Sequence, residues 1–196
     1  RLGRVLVSLM PDEPEAVGLL ALMLLTEARR PARVDAGGSM VRLADQDRTL
    51  WDRALIDEGH GLVRACLRRN RPGPFQIQAA IAAVHDDAPT AGDTDWSQVV
   101  ALYDQLHAIR PSPVVALNRA VAVAELDGPE SGLDALAGVG LEEYQPYHAA
   151  RADLLARAGR TQEALAAYDR AVDLTANPAE REFLMRRRLQ VAGGPD

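Results

Sequence analysis

The sequence contains no lysine, a single cysteine and few aromatic residues. All 22 basic residues are arginine, and aromatic side chains make up only 4% of the chain. Because a β-sandwich core draws on aromatic and β-branched residues, this shortage favours closely packed helices rich in Ala and Leu. The one cysteine, Cys66, excludes both an internal disulfide framework and a cysteine-based zinc site.

Long apolar runs and an excess of positive charge are also missing. The longest apolar run covers residues 17–25, far short of the roughly 20 residues that span a bilayer. The net charge of −6 makes a general DNA-binding surface a poor hypothesis, because neutralising phosphates needs a basic face. We therefore expect a cytoplasmic location with no membrane contact. The chain begins at Arg1 inside a helical pattern, which we interpret as a piece of a longer protein.

Helical periodicity runs through almost the whole chain. Proline and serine mark starts, as at Ser112-Pro113, where serine is the N-cap and proline the first helical residue. We expect Asp47 to cap the helix that follows it, and Asp93 or Thr94 to cap a later one. The predicted helices are 1–10, 14–30, 49–69, 75–86, 95–109, 113–127, 129–137, 141–158, 161–175 and 179–191. Residues 31–46, with Gly37-Gly38, predict a short hairpin-like insertion.

The second half of the sequence has the spacing of a helical repeat. Residues 145–178 fit a 34-residue helix–turn–helix unit, with small residues where two helices cross and Gly159 at the turn. This unit resembles a tetratricopeptide repeat. The predicted fold is all-α, with antiparallel helix pairs stacked as a right-handed, tetratricopeptide-like solenoid. We assign 1–111 to an N-terminal helical part and 112–196 to repeats with a capping helix, together one continuous domain.

The titratable residues do not form a pattern typical of catalysis. The four histidines lie on four different predicted helices without zinc-ligand spacing. Several aspartates have an arginine one helical turn away, as Asp52 has Arg48, and such neighbours keep carboxylates ionised and paired. Acid–base hydrolysis instead needs two carboxyl groups whose pKa values differ. We therefore predict no catalytic, metal or cofactor site and no enzymatic activity.

A polar block surrounds the Gly-Gly turn, and other polar residues interrupt apolar helices. Asn118 in the middle of a helix is expected to hydrogen-bond a neighbouring loop or backbone. Trp51 and Trp96 each begin a helix, where they either close the stack or line a groove. The candidate interaction residues are Arg29, Arg30, Asp45, Asp47, Arg48, Trp51, Asp52, Gln76, Gln78, Asp95, Trp96, Asn118 and Arg119.

Five segments occur in a specific order along the chain. They are Arg29-Arg30-Pro31-Ala32-Arg33, the stretch 45–54, the stretch 73–82, Asp93-Thr94-Asp95-Trp96, and the stretch 111–120. This combination resembles the C-terminal extension of a large group of bacterial extracytoplasmic-function (ECF) RNA polymerase sigma factors. Those extensions are tetratricopeptide-like and follow the DNA-binding regions. The resemblance covers nearly the whole chain, but the promoter-binding regions two and four have no counterpart in it.

The resemblance implies a regulatory, protein-binding domain that modulates transcription initiation. Its partners would be the sigma factor's own DNA-binding regions or the RNA polymerase core, with promoter DNA reached only through the missing regions. We expect Arg30, Asp45, Asp47, Arg48 and Asp52 to form a clasp that holds the N-terminal helices to the repeats. Two alternatives remain: a stand-alone repeat scaffold that binds a partner peptide, and a small-ligand sensor or hydrolase. The latter would use Asp45, Asp52, Asp95 and Arg119.

Overall fold

A computed structural model describes residues 1–194, and this part of the chain contains ten α-helices and no β-strand. The all-α prediction is therefore confirmed. The helices are α1 (Leu2–Leu9), α2 (Pro14–Ala28), α3 (Arg53–Arg69), α4 (Pro74–Asp87), α5 (Trp96–Ile109), α6 (Pro113–Asp127), α7 (Pro129–Leu136), α8 (Gln145–Arg157), α9 (Thr161–Leu174) and α10 (Pro178–Gly193). They fall into two compact units, Arg1–Pro111 and Ser112–Asp196.

The first unit is built around α2. This helix packs against both α3 and α4, while α1 lies on α2 and α5 lies on α4. Its buried face contributes Ala21 and Leu25 to a core that also contains Trp51 and Ile56. Two close approaches depend on glycine, because a methyl group at Gly18 would lie 2.7 Å from the Gln76 nitrogen and one at Gly59 would collide with Leu25.

Helix α3 begins later than the sequence predicts. Residues 48–50 form a short 3₁₀ turn capped by Asp47, and the α-helix starts at Arg53 with Asp52 as its N-cap. The prediction that Asp47 caps α3 was therefore wrong. The intervening residue, Trp51, has an extended backbone (φ −73°, ψ 137°) that lets its side chain enter the core. The buried residues of α3 are consequently Ile56, Gly59, Val63 and Cys66, while Leu55 and Leu62 pack partly buried against the same core.

The insertion before α3 has one hairpin-like feature. Val34 and Met40 form an isolated antiparallel bridge around a turn. The Asp35 carboxylate accepts hydrogen bonds from the backbone N–H groups of Gly37 and Ser39. Gly38 has a φ of +82°, which favours glycine because it has no Cβ. Short 3₁₀ turns at Arg30–Ala32 and Leu43–Asp45 flank the bridge.

The cap of α5 also differs from the prediction. Thr90 and Asp93 form a reciprocal capping box on a short 3₁₀ turn, Ala91–Asp93. The α-helix that follows is capped by Asp95, whose carboxylate accepts a hydrogen bond from the Gln98 N–H. Neither Asp93 nor Thr94 caps α5, because the intervening turn uses Asp93 first.

The second unit is a series of helix hairpins. Neighbouring helices from α6 to α10 pack against one another, and the three-residue link between α8 and α9 makes that pair antiparallel. Small residues allow close contact: Ala152, Ala164 and Ala171 are completely buried. Gly159 has the positive φ (+75°) that its turn requires. A methyl group on Gly132 would lie 2.4 Å from the Ala124 Cβ, so α7 and α6 touch almost backbone to backbone.

Within residues 1–194, no helix is both long enough and apolar enough to cross a bilayer.

Candidate functional site

A buried cluster in the first unit brings two arginines onto one tryptophan. The guanidinium carbons of Arg29 and Arg48 lie 5.6 Å and 4.6 Å from the centre of the Trp51 ring. Trp51 is only 3% exposed. Cations over an aromatic face are attracted by its negative quadrupole, and the attraction grows when water is excluded. We call Arg29, Arg48, Trp51 and the carboxylate of Asp86 the arginine–tryptophan junction.

Asp86 is the buried charge of this junction. Its side chain has no exposed surface, and Arg29 Nε lies 2.9 Å from Asp86 Oδ1 while the Arg29 side chain is 11% exposed. The distance is that of an ion pair, yet neither carboxylate oxygen has a hydrogen-bond donor among the described residues. The N–H of Arg29 is therefore poorly aimed, and the attraction is coulombic. Burial raises the pKa of Asp86 to about 6, although Arg29 and Arg48 oppose the shift.

Arg48 joins the loop before α3 to the end of α4. Its Nη1 donates hydrogen bonds to the carbonyl oxygens of His85 (2.6 Å) and Ala88 (2.7 Å). The last carbonyls of a helix have no partner within the helix and carry partial negative charge. The Arg48 guanidinium supplies hydrogen-bond donors to these carbonyls and a positive charge that complements their partial negative charge. Arg29 adds a weaker bond from Nη2 to the Ala82 carbonyl, at 3.3 Å.

His85 packs beside the junction against the start of α5. Its ring lies edge-on to the Trp96 ring, with centroids 5.2 Å apart. Burial, together with the positive charges of Arg29 and Arg48, lowers the pKa of His85 to about 4. The imidazole is therefore neutral near neutral pH. It packs against Trp96. Within residues 1–194, no group of three His, Cys, Asp or Glu side chains is placed to hold a metal ion.

The other members of the predicted clasp bind different partners rather than one another. Arg30 pairs with Glu27 at 2.9 Å, and Asp45 pairs with Arg42 at 2.7 Å, all on the surface. Asp47 caps its own turn, and hydrogen bonds from Thr49 lower the pKa of that carboxyl. The Asp52 carboxylate accepts the N–H groups of residues 54 and 55. Among the five predicted clasp residues, Arg48 is the one whose side chain is hydrogen-bonded to another helix within the described part of the chain.

The two glutamines lie at the opposite end of α4. Gln78 Nε2 donates to the Pro74 carbonyl one turn earlier. Gln76 is buried, and its Nε2 donates both to Glu15 Oε1 (3.0 Å) and to the Arg71 carbonyl (2.9 Å). The candidate interaction residues that contact or belong to α4 therefore lie at its two ends. A helix of 14 residues separates these ends by about 20 Å.

Glu15 is a residue that the sequence reasoning missed. It lies in the first turn of α2, yet its carboxylate accepts the backbone N–H groups of Phe75 (2.9 Å) and Gln76 (3.2 Å). It therefore caps α4 from another helix. Gly73 makes room for it, because a methyl group there would lie 2.4 Å from the Glu15 carboxyl carbon. The sequence signal for such a cap was that α4 begins at Gly73-Pro74, where the N-cap residue has no side chain to cap the helix, so another segment has to supply one.

The remaining predicted residues have separate roles. Asp95 caps α5, and hydrogen bonds from Ser97 and Gln98 lower the pKa of its carboxyl. Arg119 is half-buried on α6. Asn118 is exposed, and its amide has no hydrogen-bond partner within the described residues, so the prediction that it bonds a neighbouring loop or backbone was wrong. Its position in the helix turns it toward solvent, where the polar side chain costs little.

Three further polar atoms in the first unit are buried without a hydrogen-bond partner among the described residues. They are Trp51 Nε1, Gln46 Oε1 and His60 Nε2. His60 nevertheless pairs through its other nitrogen with Asp87, at 3.3 Å. The chemistry of the site is that of charges holding helix ends in place. The carboxyls outside Asp86 with shifted pKa values, such as Asp47 and Asp95, are shifted downward, which favours the ionised, hydrogen-bonded form.

Comparison with known proteins gives two similarities. Residues 1–67 match the sequence profile of a family of unknown function (DUF6596). The uncharacterized protein R00370 of Rhizobium meliloti (strain 1021) is 46% identical over 197 residues, an alignment that covers 100% of this chain and 47% of that protein. The chain therefore spans about half the length of this relative. No solved structure matches it.

Proposed function

We propose that residues 1–196 form a regulatory, protein-binding region of an ECF sigma factor in the cytoplasm. It modulates transcription initiation through contacts with the sigma regions or with RNA polymerase. The observation that carries this proposal is the resemblance of the five segments to the ECF sigma-factor extensions. Within these segments, Arg29, Arg48 and Trp51 form a buried structural junction, which leaves the surfaces of the helices to bind a partner.

One such surface is the outer face of α1. Leu2, Val5, Leu6 and Leu9 recur at the spacing of a single helical stripe, yet Leu2 and Leu9 are 82% and 76% exposed. The helix contacts α2 through Gly3 instead. Contiguous exposed apolar patches commonly mark protein-binding sites. This face supports a role in which the sigma regions pack against α1.

The second unit supports a tetratricopeptide-like solenoid as the finer fold. Each pair, α6–α7 and α8–α9, packs on the next helix along the chain. The buried set Ala152, Leu155, Ala164 and Tyr168 has the small and aromatic positions of such a repeat. In this arrangement α10 is the capping helix. Arg187 and Arg188 pair with Asp153 and Asp169 and hold α10 on α8 and α9.

The proposal is tested by transcription from a cognate promoter. The comparison is between a longer protein that carries residues 1–196 after its sigma regions and the same protein truncated before Arg1. We expect the output to differ, and we expect replacement of Leu2 and Leu9 by serine to move it toward the truncated protein. A matched control is serine at Leu189, which is also exposed but lies on α10. Equal output from intact and truncated proteins would contradict the regulatory role.

A stand-alone peptide-binding scaffold is the second candidate. A cleft of about 270 Å³ in the second unit is lined by Tyr147, Arg151 and Arg160 together with apolar residues of α7 and α8. In this alternative, the partner peptide would bind at the cleft. Nuclear magnetic resonance shifts confined to these residues on adding a partner, with no effect of the chain on transcription, would favour the scaffold over the sigma-factor role.

A hydrolase or ligand sensor receives no support from the site. The Asp52 and Asp95 carboxylates are occupied by helix N-terminal N–H groups, and Asp45 pairs with Arg42. We propose that the chain has no catalytic role and needs no cofactor. A thermal-shift screen checks this: a stabilising ligand whose effect disappears in Asp52→Asn would contradict it.

A further inference from the structure

Helix α1 is firmly docked on the first unit, although its outer face is apolar. Gly3 lies so close to α2 that a methyl group there would be 3.0 Å from a leucine side chain of that helix. Arg4 donates two hydrogen bonds to the Glu58 carboxylate of α3, at 3.0 Å and 2.6 Å. Just beyond the helix, Arg69 donates to the Pro11 carbonyl. These contacts fix which face of α1 points to solvent.

The solvent-facing stripe of α1 carries more exposed large apolar side chains than any other helix among residues 1–194. Leu2, Val5 and Leu9 are 82%, 47% and 76% exposed. Their spacings of 3 and 4 residues place them on one face of the helix. Exposed apolar residues that occur singly need no explanation, whereas a contiguous patch commonly marks a surface that another molecule covers.

The charges around this stripe suit a second copy of the same helix. Arg1 lies before the stripe and Asp12 lies after it; both are exposed, and neither forms an ion pair within the described residues. The remaining charge on α1, Arg4, is already paired with Glu58. When two copies of α1 pack antiparallel, Arg1 of each copy lies near Asp12 of the other, so opposite charges meet at both ends. A parallel arrangement would bring like charges together.

The size of the stripe limits the strength of such a pairing. The largest apolar patch of a typical monomer measures roughly 300–600 Å². Two patches of that size bury about 600–1,200 Å² when they face each other, whereas stable complexes bury roughly 1,200–2,000 Å². We therefore expect a weak, reversible association with a micromolar or larger dissociation constant.

We propose that α1 is a self-association site, at which the apolar stripes of two copies pack antiparallel around a two-fold axis. Leu2 of one copy packs on Leu9 of the other, and the two Val5 side chains meet at the axis. Each Arg1 pairs with Asp12 of the other copy. Because the same surface is used on both copies, the contact closes at two and gives a dimer rather than a filament.

Self-association has a regulatory consequence, and this part of the inference rests on the proposed function. The dimer covers the face of α1 against which the sigma regions are proposed to pack. A second copy and the sigma regions therefore exclude each other from this face.

Sedimentation velocity of the whole chain over about 5–500 μM tests the site, because a weak dimer dissociates within such a range. We expect the mean mass to rise from 21.2 kDa toward twice that value. Leu9→Ser should weaken the association about tenfold or more, since it removes an apolar side chain from the contact. Leu189→Ser is the matched control, because Leu189 is 66% exposed but lies on α10, and it should associate like the wild type. Thermal unfolding checks that both variants are folded.

A charge exchange tests the antiparallel arrangement. Arg1→Glu places a carboxylate near Asp12 of the other copy, and Asp12→Arg places a guanidinium near Arg1. Each variant alone should therefore associate about threefold more weakly than the wild type. An equimolar mixture of the two variants should recover the association, because both end contacts of the mixed dimer then join opposite charges.

Four results would overturn the inference. They are a mass of 21.2 kDa at every concentration, a dimer that Leu9→Ser leaves unchanged, growth beyond the dimer, and a mixture that associates no better than its two components. None of these measurements uses transcription, so the two proposals fail separately. A dimer without any effect of residues 1–196 on transcription contradicts the proposed function alone, and an effect on transcription without a dimer contradicts self-association alone.

Discussion

The two ends of α4 are held from outside the helix by charges of opposite sign. At the N-terminal end, the Glu15 carboxylate of α2 accepts the N–H groups of Phe75 and Gln76. At the C-terminal end, Arg48 donates to the carbonyls of His85 and Ala88. Each charge complements the partial charge of the helix end that it contacts. The local sequence of α4 supplies no side-chain cap at its N-terminus, so tertiary contacts do this work.

The two ends differ in how completely their charges are satisfied. The Glu15 carboxylate receives three hydrogen bonds, two from the backbone and one from Gln76. The C-terminal end adds Asp86, which is wholly buried and has an ion-pair partner but no hydrogen bond from any residue that the structure describes. A satisfied charge mainly stabilises, whereas a buried, poorly hydrogen-bonded ion pair stabilises little by itself and penalises the loss of either partner. The following variants test this difference.

The largest effect is expected for Arg29→Met. This change removes the counter-charge of Asp86 and leaves a buried carboxylate, which should lower the free energy of unfolding by about 3 kcal/mol or more near neutral pH. Urea denaturation measures the loss. Arg30→Ala is the control, because the neighbouring Arg30 is exposed and pairs with Glu27 on the surface. A loss for Arg29→Met as small as that for Arg30→Ala would contradict the importance of the buried pair.

The pH dependence of stability should reveal two opposing groups at the C-terminal end. The pKa of Asp86 is raised from 3.8 to about 6, so its contribution to stability is full below pH 3.8 and is lost as the pH rises through 6. The pKa of His85 is lowered from 6.5 to about 4, so its contribution is full above pH 6.5 and is lost as the pH falls through 4. Between pH 4 and 6 the opposite pH dependences of these two contributions to stability nearly cancel.

Single substitutions should expose each trend. Asp86→Asn should lose stability on acidification from about pH 6.5 to 4, and His85→Gln should gain it, each by on the order of 2 kcal/mol across the range. Urea denaturation at a series of pH values measures both slopes, independently of the constant cost of each substitution. Parallel slopes in the two variants would show that neither group has the shifted pKa.

Removing the side chains that cap the two ends of α4 should lower stability moderately and affect hydrogen exchange locally. Glu15→Ala and Arg48→Met each remove hydrogen bonds to a charged group, and we expect losses of about 1.5–3 kcal/mol. Amide hydrogen exchange should accelerate near Phe75 in the first variant and near His85 in the second. Glu27→Ala is the control on α2, since its carboxylate is exposed. Acceleration spread evenly along α4 in both variants would contradict separate clamps at the two ends.

The smallest effects are expected in the second unit, where ion pairs lie on the surface. Arg188→Ala removes the pair with Asp169, and exposed pairs contribute about 0–1 kcal/mol. Gly132→Ala is the informative contrast there, because its methyl group would collide with Ala124 and should cost at least 1 kcal/mol. Thermal unfolding ranks the two; a larger loss for Arg188→Ala would show that charge, rather than close packing, holds this unit.

Local signals predicted most helices but not all of their boundaries. Ser112-Pro113 and Pro14 start helices as expected, because a cap or a fixed φ acts within a few residues. The start of α3 was misplaced because both Asp47 and Asp52 are competent caps. The choice between them depends on burying Trp51, which is a tertiary effect.

The polar contacts were harder to predict because the partners lie far apart in the sequence. Glu15 and Gln76 are 61 residues apart in the chain, and Arg29 and Asp86 are 57 apart. With 28 acidic residues and 22 arginines, local spacing favours many alternative pairs, such as Arg48 with Asp52. Residue type indicated that the block from Arg29 to Asp52 is structural, whereas its partners became visible only when α2 and α4 were placed side by side.

A double-mutant cycle on Arg29 and Asp86 tests whether the arginine–tryptophan junction serves to hold the fold together. Replacing both charges by apolar residues, Arg29→Met with Asp86→Leu, should restore stability to within about 1 kcal/mol of the wild type, although each single variant is strongly destabilised. Losses that simply add in the double variant would contradict the claim.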